Sequence, residues 1–534
     1  MDSPRDTRTG TTIEDPERAE GAFRLRRTTR EELLQWSRAF MRDKKLVVVS
    51  NREPYTHQRE SGQLRIVRNV GGLTVALDSV VQALGGTWVA YGHGNADKSV
   101  VDTRSRVRLP ENDPTFTLKR VWISRDDYQL YYSGFSNGAL WPLCHVVYVR
   151  PRFVLEEWER YCEINRRFAE AVCEEVEDGA LVFIQDYHLA MAAKYIKERR
   201  PDLDVALFWH IPWPNAEVFR ILPWRRELLE GMLANDVIGF HIRGHAMNFL
   251  DIVGDTIESR VDNEQMVVHR GGERTWVRNF PISVDADQIG LMAESAHTRE
   301  SIAAIRERFG IGDDTVVSVG VDRMDYTKGI PERLDAIERM FEKYPEWVGK
   351  FTHIQIGVPT RIELREYREV ATRTRNAVRR INERFPRRRG RVREEHARTV
   401  HLIEKNHDFR DVVPYLRLAD LCSVTSLHDG MNLVAKEYVA ARTDVNGTLV
   451  VSPFAGAALE LGRAWLASPY DRETLADTFH LALTEKPKAR RARMAALRET
   501  VARHNIFDWA IEVFDTVQRL SLRTPHEGVE PPWR

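Results

Sequence analysis

The sequence predicts an α/β protein of two successive doubly wound domains that face each other across a cleft. Three observations lead there. Short runs of β-branched and aromatic residues recur along the chain, separated by longer segments with helical periodicity. Apolar strands that alternate with helices imply parallel sheets covered on both faces. The alternation comes in two series, the second starting near residue 281. Finally, Asn51-Arg52, Asp186, His210 and Arg323 each follow a strand, where open α/β sheets bind their ligands.

Taken in order, residues 1–43 read as an extension. The first 22 are rich in Asp, Glu, Arg, Thr and Gly and are expected to be disordered. Residues 29–42 fit a helix, with Thr29 and Glu32 spaced as a capping box. Residues 44–280 form the first domain. Its strands are expected at 46–50, 86–91, 180–184, 205–210 and 236–240, with helices at 153–176 and 190–199. Residues 281–500 form the second. Its strands are expected at 315–320, 352–356, 400–403, 421–424 and 448–452, with helices at 330–343, 364–384, 412–419 and 433–442. Residues 501–534 hold a terminal helix and a tail. One helical stretch is expected over 488–519. At roughly 150 residues per domain, 534 residues suggest three or four domains; the pattern reduces this to two large ones and an extension.

Composition excludes several function classes. Lys plus Arg and Asp plus Glu are both 79, giving zero net charge, which argues against a polyanion groove and a nucleic-acid partner. A small anion needs only a few local cations. The segment 361–400 carries 14 Arg against 6 Glu, but their interleaving fits a solvated helix face better than a nucleic-acid patch. A hydrophobic fraction of 43% is ample for large cores. The four cysteines form no CxxC pair or zinc-type spacing and read as reduced, in a cytoplasmic protein. Met1–Phe23 lacks the apolar core of a signal peptide, and no run of about 18 apolar residues reads as a membrane span.

Six segments could carry chemistry. In Val321-Asp-Arg-Met-Asp-Tyr-Thr-Lys-Gly-Ile-Pro331, Arg323 and Lys328 flank a strand-to-helix turn. Two cations beside helix-start amides suit a diphosphate; the plainer reading is a surface loop. In His428-Asp-Gly-Met-Asn-Leu-Val-Ala-Lys-Glu437, Asp429 and Glu437 are acceptors for sugar hydroxyls, and Asn432 and Leu433 start a helix that suits a phosphate. Their plainer roles are a turn and a cap. Gln185-Asp-Tyr-His-Leu189 and Trp209-His-Ile-Pro-Trp-Pro214 place Asp186 and His210 at strand ends. Tyr131-Tyr-Ser-Gly-Phe-Ser-Asn-Gly-Ala-Leu-Trp141 reads as an aromatic loop, either a sugar platform or a buried anchor. The paired glycines of Asn69-Val-Gly-Gly-Leu73 admit a ligand close to the backbone. GxGxxG and GxxxxGK[ST] are absent, and Asp285-Ala-Asp287 reads as a hinge rather than a metal site.

These segments together resemble the trehalose-6-phosphate synthase family, retaining glycosyltransferases of family 20 with the GT-B fold of two Rossmann-like domains. The resemblance runs from Leu46 to Trp509. It rests on Ser50-Asn-Arg52, Gly71-Gly72, Tyr131-Tyr132 with Leu140-Trp-Pro142, Asp186-Tyr-His-Leu189, His210-Ile-Pro212, Asp325-Tyr-Thr-Lys-Gly329, Asp429 to Glu437 and Ser452-Pro-Phe-Ala-Gly-Ala-Ala458, all in family order. It implies donor binding by Gly72, His210, Arg323, Lys328, Asp429, Asn432, Leu433 and Glu437. It implies acceptor binding by Arg52, Tyr132, Trp141, Asp186 and Arg361. Catalysis would fall to Arg323, Lys328, Asp186 and His210, with no metal, no cofactor and no carboxylate nucleophile. The implied reaction moves glucose from a nucleotide-glucose, with UDP-glucose expected, to glucose 6-phosphate, as in trehalose biosynthesis and osmoprotection. A separate phosphatase would act next; a homo-oligomer is left open. Asn51-Arg-Glu-Pro-Tyr55 and Trp213 are also similar to glucosylglycerol-phosphate synthases, which take glycerol 3-phosphate, while the intact Tyr-Tyr and Leu-Trp segment favours glucose 6-phosphate. A non-catalytic sugar-phosphate-binding relative is the third reading. His428 stands where the family usually has arginine.

Overall fold

The computed structural model describes residues 28–41, 44–68, 72–387 and 393–521. The parts of the N-terminal extension and C-terminal tail beyond these, and Asn69–Gly71, lie outside the described residues.

The first half contributes β1 (Leu46–Arg52), β2 (Tyr55–Glu60), β3 (Gln63–Arg68), β4 (Thr87–Tyr91), β5 (Arg106–Leu109), β6 (Phe116–Val121), β7 (Leu181–Gln185), β8 (Asp204–Phe208), β9 (Val237–Phe240), β10 (Arg260–Asp262), β11 (Val267–Arg270) and β12 (Glu273–Asn279). All but β2 and β3 join one sheet in the order β10-β11-β12-β9-β8-β7-β1-β4-β6-β5. Its interior pairs are parallel, and strands such as Val237–Phe240 and Asp204–Phe208 are buried along their whole length. The edges are antiparallel: β5 on β6, and β10-β11-β12. These edge strands, along with β2 and β3, escape the sequence pattern because they are short and charged, as in Arg-Val-Arg-Leu109. β2 and β3 pair as a separate hairpin. Its turn residues Ser61 and Gly62 both have positive φ, at 49° and 83°, the hand that matches strand twist.

The second half contributes β13 (Val316–Arg323), β14 (Phe351–Val358), β15 (Val400–Ile403), β16 (Leu421–Val424), β17 (Thr448–Val451) and β18 (Trp465–Leu466). They form an all-parallel sheet, β15-β14-β13-β16-β17-β18. In each sheet the strand order reverses beside the first strand, between β1 and β7 and between β13 and β16. Such reversals splay the flanking helices apart and open a crevice at the carboxyl ends of the strands.

The expected single helix over 488–519 is in fact two, Pro487–Arg503 and Ile506–Ser521. Asn505 causes the break. Its Oδ1 accepts from the amides of Phe507 and Asp508 at 2.9 and 3.1 Å, which starts a new helix. Its Nδ2 donates to the Thr28 carbonyl at 2.7 Å. The second helix lies on the first sheet. Trp509 and Phe514 pack on Phe183 of β7, with ring centroids 5.9 and 5.3 Å apart, and Trp509 Nε1 donates to the Phe280 carbonyl at 3.3 Å. Helix Arg30–Phe40 has both halves of the Thr29/Glu32 capping box and buries Leu33.

The arginine-rich helix Arg365–Arg384 is a solvated face. Arg365 pairs with Glu369, Arg375 with Glu404, Arg380 with Asp335 and Glu338, and Arg384 with Glu338 and Glu342.

Phe514 is fully packed between the terminal helix and the first sheet. Phe514→Ala is expected to cost about 3–5 kcal/mol, as other buried Phe deletions do. A lowered urea midpoint for the first half's tryptophan fluorescence would show it; an unchanged midpoint would mean the helix does not brace that sheet.

Candidate active site

A cavity of about 390 Å³ opens at the carboxyl ends of both sheets. Each site residue reaches it by one local device. Arg52 and Arg323 are the last residues of β1 and β13, and Asp186 and His210 follow β7 and β8. Lys328 ends a short 3-10 turn, Tyr326–Lys328. Gly329 follows it with φ +63°, and a Cβ there would stand 2.1 Å from the Thr425 carbonyl, so the turn demands glycine.

Of the residues nominated from sequence, Arg52, Tyr132, Trp141, Asp186, His210, Arg323, Lys328, Arg361, Asp429, Asn432, Leu433 and Glu437 all line this cavity. Gly72 is the first residue of helix Gly72–Leu84, whose Thr74 and Leu77 line the cavity too. Tyr131–Trp141 is a correction: this segment is no loop but a π-helix, Gln129–Leu140, that runs on into helix Trp141–His145. The wide winding turns Tyr132 and Trp141 to the cavity and buries Tyr131 and Phe135 in the core. The anchor reading holds for Tyr131 and Phe135; Tyr132 and Trp141 reach the cavity with their faces covered, Tyr132 stacked on Tyr128 and His188 and Trp141 under Arg361.

One end of the cavity is strongly cationic. The Arg361 guanidinium lies 4.3 Å from the Trp141 ring centroid, and that of Arg323 lies 5.2 Å from it. Arg52 donates to the Tyr132 hydroxyl at 3.2 Å. Burial alone would raise the Tyr132 phenol, but Arg52, Arg361 and Arg323 together hold it below its ordinary value. A buried phenol held down in this way reports surplus positive charge around it. Trp141 Nε1 and Arg361 Nε are buried with no hydrogen-bond partner among the described residues, which leaves donors free for a ligand.

The counter-groups were not singled out from sequence. Arg361 donates to the hydroxyls of Tyr367 and Tyr187 at 2.5 and 3.2 Å. Asp325 lies 3.5 Å from Arg361 and 3.8 Å from Arg323. Burial opposes ionisation of Asp325, yet Arg323, Arg361 and Lys328 hold it below the ordinary carboxylate value. Asp325 and Tyr187 stand inside the motifs quoted above; Tyr367 is an unremarkable helix tyrosine that nothing in the sequence marks.

The other end is mixed. Lys328 Nζ and Asp429 Oδ2 are 2.5 Å apart, and against the opposing effect of burial this holds Asp429 at about 2. Asn432, at φ 78°, donates to Asp429 at 3.1 Å and caps helix Leu433–Ala441 through the Ala435 amide. Burial pushes Glu437 up to about 7. Asp186, at φ 72°, accepts the amides of Tyr187 and His210 at 2.9 and 3.1 Å, and burial pushes it up to about 6. His210 Nε2 lies 2.9 Å from Gln185 Oε1, an acceptor, so the proton sits on Nε2. Burial keeps the ring neutral, which leaves Nδ1 as an acceptor for a hydroxyl.

Asp285 caps helix Ala286–Ala293 by accepting the Gln288 amide at 3.0 Å, a structural role. Among the described residues no group of three or more His, Cys, Asp and Glu is placed to hold a metal ion. No helix among them is long and apolar enough to cross a membrane.

Residues 44–519 match the profile of Glycosyltransferase family 20. The chain belongs to that family. The trehalose-6-phosphate synthase of Mycolicibacterium vanbaalenii is 37% identical over 490 residues, covering 90% of this chain and 97% of the relative. Among solved structures, a UDP-forming α,α-trehalose-phosphate synthase from Burkholderia xenovorans in complex with glucose-6-phosphate matches with a TM-score of 0.78. It is 27% identical, over 89% of this chain and all of that one. An Escherichia coli structure bound with UDP-2-fluoro glucose matches with a TM-score of 0.77 and 28% identity, over 91% of this chain. The family 20 chain is accordingly a glycosyltransferase of the GT-B fold.

The raised Glu437 carboxyl has a consequence for stability. In the folded protein it holds its proton up to about 7, against an ordinary 4.5. Its contribution is therefore fully present below 4.5 and is lost as pH rises through 7. Glu437→Gln keeps the neutral shape, so it is expected to gain stability relative to wild type as pH rises from 4.5 to 7. Urea melts of both proteins without substrates check this; a constant difference across that window would contradict it.

Proposed function

We propose that this family 20 enzyme transfers glucose from UDP-glucose to glucose 6-phosphate with retention, giving trehalose 6-phosphate. The observation that carries this reading is the cationic cage of Arg52, Arg323 and Arg361 around Tyr132 and Trp141. It offers three guanidiniums, the Trp141 Nε1 donor and the Tyr132 hydroxyl to a phosphate within one cavity. The likeness to relatives whose structures hold glucose-6-phosphate and a UDP-glucose analogue supports the same pair of substrates.

In this reading Arg323 and Lys328 receive the donor diphosphate, and the Asn432 and Leu433 amides cap it from the helix start. Asp429 and His210 Nδ1 accept glucose hydroxyls, Gly72 lets the donor lie against the backbone, and Glu437 takes the ribose hydroxyls. Arg52, Tyr132, Trp141 and Arg361 hold the acceptor phosphate, with Asp186 facing the two sugars. The bond from anomeric carbon to diphosphate oxygen breaks as the acceptor hydroxyl arrives on the same face. Negative charge grows on the leaving oxygen, where preorganised cations act most strongly. That oxygen takes the acceptor's proton, so the balance needs no metal. Two backbone amides on its Oδ1 hold Asp186 in place, and the reading assigns it to orienting the sugars rather than to attack. The proposed setting is the cytoplasm, which suits four free cysteines.

A donor-by-acceptor matrix tests the reading: UDP-, ADP- and GDP-glucose against glucose 6-phosphate and glycerol 3-phosphate, scored by nucleotide release and the disaccharide phosphate. UDP-glucose with glucose 6-phosphate is expected to be fastest, and EDTA is expected to leave the rate unchanged. Preference for glycerol 3-phosphate would move the enzyme to the other acceptor class; no transfer with any pair would refute the proposal. Arg323→Ala is expected to lower kcat about 10²–10³-fold, the usual loss for a preorganised transition-state charge.

A further inference from the structure

The donor turn and the acceptor helix meet at a point that no step above uses. Helix Trp141–His145 starts at the ring lying beside Arg361 and Arg323. Its other end is abrupt. Val146 takes up φ 53°, ψ 38°, a left-handed conformation that β-branched residues avoid. Tyr148 repeats it at φ 62°. Such backbone persists only where its surroundings hold it, and it clusters at functional sites.

Stopping the helix there leaves the His145 carbonyl beyond the reach of helical amides. His428 takes it, with Nδ1 2.7 Å from the oxygen across 283 positions of chain. A carbonyl only accepts, so His428 Nδ1 carries the proton. His428 directly precedes Asp429, the partner of Lys328. The His145 ring in turn donates from Nδ1 to the Trp141 carbonyl at 2.8 Å. Two residues beyond His428 the turn touches the first half again: a Cβ on Gly430 would stand 2.1 Å from the His210 carbonyl.

We propose that His428 is a positioning residue: through the His145 carbonyl it sets the donor turn against the acceptor helix, so that the two substrate sites form together. The inference rests on the transferase reading, and its test is separable from it. Asparagine can keep the contact, because its Nδ2 branches from Cγ as the histidine Nδ1 does. Glutamine carries its donor one bond farther out, and alanine has none.

The experiment measures glucose 6-phosphate binding by calorimetry with and without saturating UDP, and turnover alongside. In wild type UDP is expected to tighten acceptor binding about fivefold or more, a coupling of ordinary size. His428→Ala is expected to abolish that tightening while leaving the Kd of UDP alone within about threefold. In turnover, the variant is expected to lose about tenfold or more in kcat and to release more UDP by hydrolysis per transfer. His428→Asn is expected to restore both readouts and His428→Gln neither. If the alanine variant does not fold, the Asn and Gln pair decides. No coupling in wild type, coupling that survives in His428→Ala, or rescue by Gln and not Asn would each overturn the proposal. Failure of wild-type turnover with coupling intact would instead fall on the transferase reading alone.

Discussion

Three guanidiniums and an ammonium share one cavity, and the rest of the site is arranged around their mutual repulsion. Two like charges about 6 Å apart cost about 3 kcal/mol at an effective dielectric of about 20. Arg361 meets that cost with the Trp141 face, two phenols and Asp325; Arg323 uses the same indole and the same carboxylate. Lys328 is neutralised separately by Asp429. The counter-groups are soft, aromatic faces and neutral hydroxyls more than carboxylates, so the cavity stays positive while its members stay in place. The Tyr132 phenol, held below its ordinary value by the same arginines, shows that the compensation is incomplete.

The fold supplies what the cations need. Each sheet reverses its strand order beside its first strand, so the ends of β1, β7 and β13 converge at one crevice. Arg52 and Arg323 are terminal residues of strands held on both sides by parallel neighbours, which fixes their Cα positions. The π-helix then does what a regular helix could not, sending Tyr132 and Trp141 to the same cavity from positions nine apart. The terminal helix, seated on Phe183 of β7, ties the end of the chain to the strand that carries Asp186.

Much of this was legible in the sequence, for identifiable reasons. Buried parallel strands such as Asp204–Phe208 are continuous apolar runs, and residues at their ends announce the cleft. Cations at a strand-to-helix turn, as at Arg323 and Lys328, can be read from spacing. What escaped was set by tertiary contact. Charged edge strands are specified by their neighbours. The break at Asn505 depends on a side chain that caps instead of continuing, in a stretch whose helical periodicity runs through it. The π-helical winding leaves no period that a 3.6-residue reading would find. Tyr367 acquires its role only because Arg361 folds back onto it.

Four carboxyls around the cavity, Asp186, Asp325, Asp429 and Glu437, sort themselves by partner, and the sorting bears on mechanism. Asp325 and Asp429 touch cations and are held ionised; Asp186 and Glu437 are governed by burial and pushed up to about 6 and 7. Asp429 gives its Oδ2 to Lys328, Ser426 and Asn432. Asp186 gives its Oδ1 to two amides, and burial raises it toward protonation. Three guanidiniums and Lys328, by contrast, stand in the cavity already compensated. The proposed transfer leans on that charge: a departing diphosphate would meet preorganised cations, with the protein holding charge rather than forming a bond.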